Sequence, residues 1–183
     1  DTPEYFKNVI IGGNKISNMG NISIGLTSCE NCLVENNQII HDQLFGTIAI
    51  KAPAGFASTD NGKLINVNVR NNTVLIKSAE GKDYSIGISL DDGIGYQVHN
   101  NLIIFDEYAG RACFSYGVNH PDFLVANSNA CWGNNTDSHA WVAAVEGRYN
   151  LLDWIEHTNV DDASVIDDPR VMSTAEKKLQ LRN

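Results

Sequence analysis

Apolar positions along this chain come in short alternating bursts, and each burst breaks at the same kind of polar corner. Five segments superpose: Val9–Ile16, Cys32–Ile39, Val67–Val74, Tyr96–Ile103 and Phe123–Ala130. Each reads apolar, x, apolar, x, a small polar pair, x, apolar. Alternation with period two predicts a strand with one buried and one wet face. Asparagine and glycine at the break fit a tight turn, because they accept left-handed backbone angles at little cost. A second strand follows the turn. A third is predicted later in each period: Ile22–Leu26, Thr47–Lys51, Ile86–Leu90, Cys113–Tyr116 and Trp141–Val145.

Three short strands per period with one Asn-bearing corner predict an all-β solenoid, a parallel β-helix of about five coils. Successive coils would stack about 4.8 Å apart. Their corner residues, Asn71 among them, would then form an asparagine ladder. An antiparallel sandwich also has short strands at regular spacing. It does not explain why the polar pair recurs at one fixed place.

These repeats resemble the right-handed parallel β-helix, or pectin-lyase-like, superfamily over about residues 6 to 146. The tail, Ser164 to Val171 followed by Leu179-Gln180-Leu181-Arg182, resembles an ending common in secreted bacterial members. The resemblance implies a right-handed solenoid, substrate binding along the third-strand sheet, and an extracellular or cell-surface location. Residues 1–146 are read as coils and residues 147–183 as a C-terminal cap and tail. Within that tail, Asn150 to His157 reads as a short amphipathic helix with Asn150 as its N-cap. Nothing comparable covers the other end, where Val9 enters a strand almost at once. The expectation there is that earlier coils, or another chain in a homo-oligomer, cover it.

Composition narrows the function classes. The hydrophobic fraction is 43% and the charged fraction 19%, as in ordinary globular proteins. No apolar run is long enough for a membrane-spanning helix. The net charge of −9 argues against nucleic acid as a partner, since phosphate backbones call for clustered Lys and Arg. Cys29 and Cys32 form C-x-x-C, which suits a redox pair, half a zinc site or a local disulfide. Cys113 and Cys131 do not repeat that spacing, so a structural role is the simpler expectation.

Outward residues of the third-strand sheet are read as Ser23, Gly25, Thr47, Ala49, Lys51, Gly87, Ser89 and Ser115, a shallow groove suited to an extended sugar chain. Asp91-Asp92-Gly93 ends one of these strands. Its carboxylates suit acid/base work, or Ca²⁺ held by Asp91 and Asp92. The run Ile88 to Gly93 resembles the D-D element of β-helix polygalacturonases, although the G-H-G and R-I-K elements of that family have no counterpart here. Lys51 and Arg111 are the candidate cations. His120 and Tyr116 are candidate proton carriers, although the Tyr116 side chain is expected to point inward. Glu35, Arg70 and His99 are expected to stack as an exposed charge ladder. Sequons begin at Asn21, Asn71 and Asn134, but an Asn-rich repeat produces such matches by chance. The expected function is lyase, hydrolase or epimerase chemistry on an acidic polysaccharide. The alternative is a non-catalytic saccharide-binding, adhesin-like or tailspike-like module, or part of a larger β-helix enzyme.

Overall fold

The computed structural model describes residues 6–43, 45–53, 64–78, 85–91, 93–107, 112–117, 124–133, 140–144, 147–167, 171–173 and 178–181. The first repeat contains β1 (Phe6–Lys7), β2 (Ile10–Gly12), β3 (Lys15–Ser17) and β4 (Ile22–Gly25). The second contains β5 (Cys29–Glu30), β6 (Leu33–Glu35), β7 (Gln38–His41) and β8 (Ile48–Ala52). The third contains β9 (Leu64–Ile65), β10 (Asn68–Arg70), β11 (Thr73–Ser78) and β12 (Ile86–Leu90). Then come β13 (Tyr96–His99), β14 (Leu102–Glu107) and β15 (Ala112–Tyr116), followed by β16 (Leu124–Asn127), β17 (Ala130–Gly133) and β18 (Ala140–Ala144). The chain continues through β19 (Gly147–Tyr149), helix α1 (Leu151–Thr158), β20 (Val165–Ile166), β21 (Val171–Ser173) and β22 (Lys178–Leu181).

Corresponding strands of successive repeats pair in parallel. The sheets run β2-β6-β10-β13-β16, β3-β7-β11-β14-β17-β20 and β4-β8-β12-β15-β18, with β19 added antiparallel at the last edge. A fourth, very short parallel sheet, β1-β5-β9, adds to the three strands predicted per repeat, and Ile94 extends it by a single bridge to Ile65. Two residues between breaker positions give too little alternation to read as a strand. The arrangement is mostly β, built of stacked parallel sheets, and compatible with a β-helix solenoid. No helix among the described residues is long and apolar enough to cross a membrane.

The polar corner shows how the sequence builds this stack. Its first residue, Gly13, Asn36, Asn71, Asn100 or Ser128, has a left-handed φ between 54° and 69°. Its second residue, Asn14, Asn37, Asn72, Asn101 or Asn129, forms the ladder. Asn37 Nδ2 donates to Asn72 Oδ1 at 3.0 Å, Asn72 to Asn101 at 3.0 Å, and Asn101 to Asn129 at 3.1 Å. Asn71 is therefore a turn residue, exposed to solvent, and Asn72 carries the ladder. The αL residue turns its side chain outward so that the next one faces inward.

The ladder amides of Asn37, Asn72, Asn101 and Asn129 also donate to a backbone carbonyl of the preceding repeat, as Asn72 does to Val34 and Asn101 to Val69. Buried amides are thereby satisfied along the stack. The ladder ends on a buried carboxylate. Asp161 Oδ1 accepts from Asn129 Nδ2 at 3.1 Å and from Ser164 Oγ at 2.7 Å, and Oδ2 accepts from Trp141 Nε1 at 3.4 Å.

Inward residues, including Val34, Val69, Val98, Ile39, Val74, Ile103, Ile50, Ile88 and Phe114, form one continuous core. Helix α1 adds Leu151 and Trp154 to it, with the Trp154 ring 5.8 Å from that of Tyr116. Asn150 is the helix N-cap, accepting from the Asp153 N–H at 2.9 Å. All four cysteines are buried and bridged, Cys29 to Cys32 and Cys113 to Cys131. The second bridge joins β15 to β17 of the following repeat through the core.

Candidate functional site

The third sheet carries the candidate chemistry, and its register decides which side chains meet. Gly25, Lys51, Ser89, Ser115 and Ala143 align in one row across β4, β8, β12, β15 and β18. Ala112 packs on Ala143 apart from the main core, which places this row on the outer face. Four of the residues read as outward are buried, Thr47, Ala49, Gly87 and Ser89. Ala49 is fully buried in the core cluster, and a Cβ at Gly87 would lie 2.5 Å from Ile103 Cδ1 in the interior. Thr47 is also buried, its hydroxyl donating to the Gly20 carbonyl. Strict alternation fails because both Ala49 and the next residue, Ile50, face the core. The pleat is broken there, where the strand enters from its corner.

Asp91 follows β12 directly. Its N–H donates to the Ala52 carbonyl at 2.8 Å, and the Gly117 N–H donates to the Leu90 carbonyl at 2.8 Å. The carboxyl group thus sits between two neighbouring repeats at the edge of the sheet. Gly117 is what leaves room for it, because a Cβ at that position would lie 2.9 Å from Asp91 Oδ1. Burial raises the Asp91 carboxyl above its ordinary value, and the charge of Lys51 pulls it part of the way back. Lys51 acts through space and forms no direct ion pair with Asp91.

The remaining candidates divide clearly. Tyr116 faces inward and is fully buried. Burial, with the negative charge of Asp161 adding to it, raises its phenol well above the ordinary value, so it cannot serve as a proton carrier on the outer face. Asp92, Arg111 and His120 lie outside the described residues. Among the described residues no cluster of three His, Cys, Asp or Glu could hold a metal ion. Ca²⁺ takes six to eight oxygen ligands. Of the expected Ca²⁺ site, Asp91 and Asp92, the described residue is Asp91, which supplies one carboxylate.

Away from this face, Glu35 and Arg70 align as expected and form an ion pair at 2.9 Å, with His99 next in register. The pair is part-buried, with Arg70 more exposed than Glu35, and at the protein surface contributes about 1 kcal/mol. A shallow depression of about 570 Å³ lies between α1 and β20, lined by Leu151, Leu152, Val165 and Ile166 with Asp153 and Asp167 at its rim. Asn150 and Ser164 line it too, and Asn150 and Asp153 are bonded to each other as the helix N-cap. The sequence reading missed the spacing role of Gly117 and the capping role of Asp161. A glycine closing a third strand was the available signal for the first; the second had none.

No family model, curated protein or solved structure matches this chain.

Proposed function

We propose that the chain is a right-handed parallel β-helix of about five coils, of the pectin-lyase-like kind, that acts on an acidic polysaccharide at the outer face of its third sheet. The observation that carries this reading is the register of β8 and β12, which brings Lys51 and the half-buried Asp91 to the same end of the third sheet, where the Asp91 N–H donates to the carbonyl of Ala52, the residue after Lys51. A carboxylate shifted toward neutral pH is a better general base than a solvated one. Lys51 is placed to attract the carboxylate of a uronate unit and to stabilise negative charge that develops beside it. Proton abstraction next to the uronate carboxylate, by lyase or epimerase chemistry, fits this pair better than hydrolysis, which calls for two carboxylates across the scissile bond. Gly25 and Ser115 leave the accessible part of the face flat enough for an extended sugar chain. Two buried disulfides support an extracellular or cell-surface location, where such bridges persist.

The test is a screen of acidic glycans such as pectate, alginate and hyaluronan, with and without Ca²⁺. It follows the absorbance of unsaturated uronates together with reducing ends. Activity lost in both Lys51→Ala and Asp91→Asn supports the site. Activity that survives both moves the chemistry elsewhere on the chain. No activity or binding on any glycan favours a non-catalytic shaft.

A further inference from the structure

Asp91 opens the turn that leads from β12 into the next repeat, and the backbone of that turn is pinned on both sides. The Asp91 N–H donates to the Ala52 carbonyl at 2.8 Å. Three residues on, the Ile94 N–H donates to the Leu64 carbonyl at 2.9 Å, and the Ile94 carbonyl accepts from the Asn66 N–H at 2.8 Å. The Gln97 N–H then donates to the Val67 carbonyl at 3.0 Å. Between the anchors at Asp91 and Ile94, Gly93 rests on a side chain.

That side chain is Tyr96, the first residue of β13, which is fully buried in the core. The hydroxyl end of its ring faces Gly93. A Cβ at Gly93 would run into the hydroxyl and lie 2.6 Å from Cε2. The core by itself does not call for a tyrosine here. Leu124 is the registered residue of the following repeat, and Val67 holds the same place in the preceding one. Both are aliphatic, so the hydroxyl occurs in the repeat whose entry turn begins at Asp91. Gly117 of the following repeat closes on Asp91 as well, where a Cβ would lie 3.0 Å from Asp91 Cα.

We propose that Tyr96 is the positioning residue of the Asp91 site. Packed under Gly93, its hydroxyl end sets the height of the turn and with it the place of the Asp91 carboxyl against Lys51. The inference rests on the reading above, in which Asp91 is the base. Tyr96 does not reach the outer face; it acts through the turn. Removing the hydroxyl lets the turn settle toward the core, and a displacement of about 1 Å at a reacting group costs up to about a hundredfold in rate.

Tyr96→Phe keeps the ring in the core and removes the hydroxyl alone. On an acidic glycan that the chain turns over, kcat should fall about tenfold or more while KM stays within about twofold. Val98→Ala, in the same strand and also fully buried, is the control: it should lower the melting temperature and leave kcat unchanged. Gly93→Ala presses on the same hydroxyl from the turn side and should reproduce the fall in kcat, which decides the matter if Tyr96→Phe does not fold. An unchanged kcat in Tyr96→Phe, or an equal fall in Val98→Ala, overturns the inference and leaves the reading of Asp91 and Lys51 standing on their own variants. A wild-type chain inactive on every glycan overturns both.

Discussion

Asn72→Ala is the substitution on which the account of the fold depends most directly. Asn72 is 1% exposed and stands in the middle of the ladder. Its Oδ1 accepts from the Asn37 backbone N–H at 3.1 Å and from Asn37 Nδ2 at 3.0 Å. Its Nδ2 donates to the Val34 carbonyl at 2.9 Å and to Asn101 Oδ1 at 3.0 Å. Alanine removes all of these and leaves buried groups of Asn37 and Val34 without those partners. Each buried group left unpaired costs about 1–3 kcal/mol, so with partial relaxation the total is roughly 3–5 kcal/mol. Asn14→Ala is the matched control, because Asn14 is exposed and water replaces what it loses; its cost is about 1 kcal/mol or less. Urea unfolding followed by circular dichroism compares the two. A cost below about 1 kcal/mol at Asn72, or equal costs at both positions, would refute the view that the ladder holds the repeats together.

Other expectations follow from single features. Replacing Cys113 and Cys131 by alanine should cost about 3 kcal/mol on the chain-entropy account, because their bridge spans 18 residues, and the Cys29–Cys32 bridge, spanning 3, should cost clearly less; urea midpoints of the two double variants decide it. Gly87→Ala should destabilise by about 1–3 kcal/mol, because the added methyl meets Ile103 and the Cys113 carbonyl; a neutral result in thermal unfolding would mean that Gly87 faces solvent after all. Asp91 has its carboxyl raised in the folded state, so the fold binds its proton more tightly than the unfolded chain does. The stability this contributes is present below about pH 3.9 and is lost as pH rises through the folded value. Asp91→Asn should therefore raise the melting temperature at pH 7 and change it little at pH 3, and the reverse pattern counts against the burial of that carboxyl. Lys51→Ala should move the Asp91 titration, followed by NMR, further upward.

The repeat was legible in the sequence because period-two alternation and a fixed polar corner are local properties of the chain. Left-handed corners favour Asn or Gly, and that preference is written at Gly13, Asn36, Asn71 and Asn100, with Ser128 the exception. The N-cap at Asn150 is also local, since its partner Asp153 lies one turn away. Three features belong to the tertiary structure. Which asparagine of each pair faces inward depends on the φ of the first, so Asn72 rather than Asn71 bonds to Asn37 and Asn101. The inward turn of Ala49 and Gly87 arises where the strand enters from its corner, which alternation alone cannot show. Asp91, Lys51 and Gly117 lie 40 and 26 positions from one another in sequence and meet only through the parallel register, which aligns Lys51 with Ser89 and Leu90 with Tyr116. The burial that raises the Asp91 carboxyl is a property of that stack. Alternation along the chain marks most of each strand's two faces, and stacking decides the exceptions and which faces become neighbours.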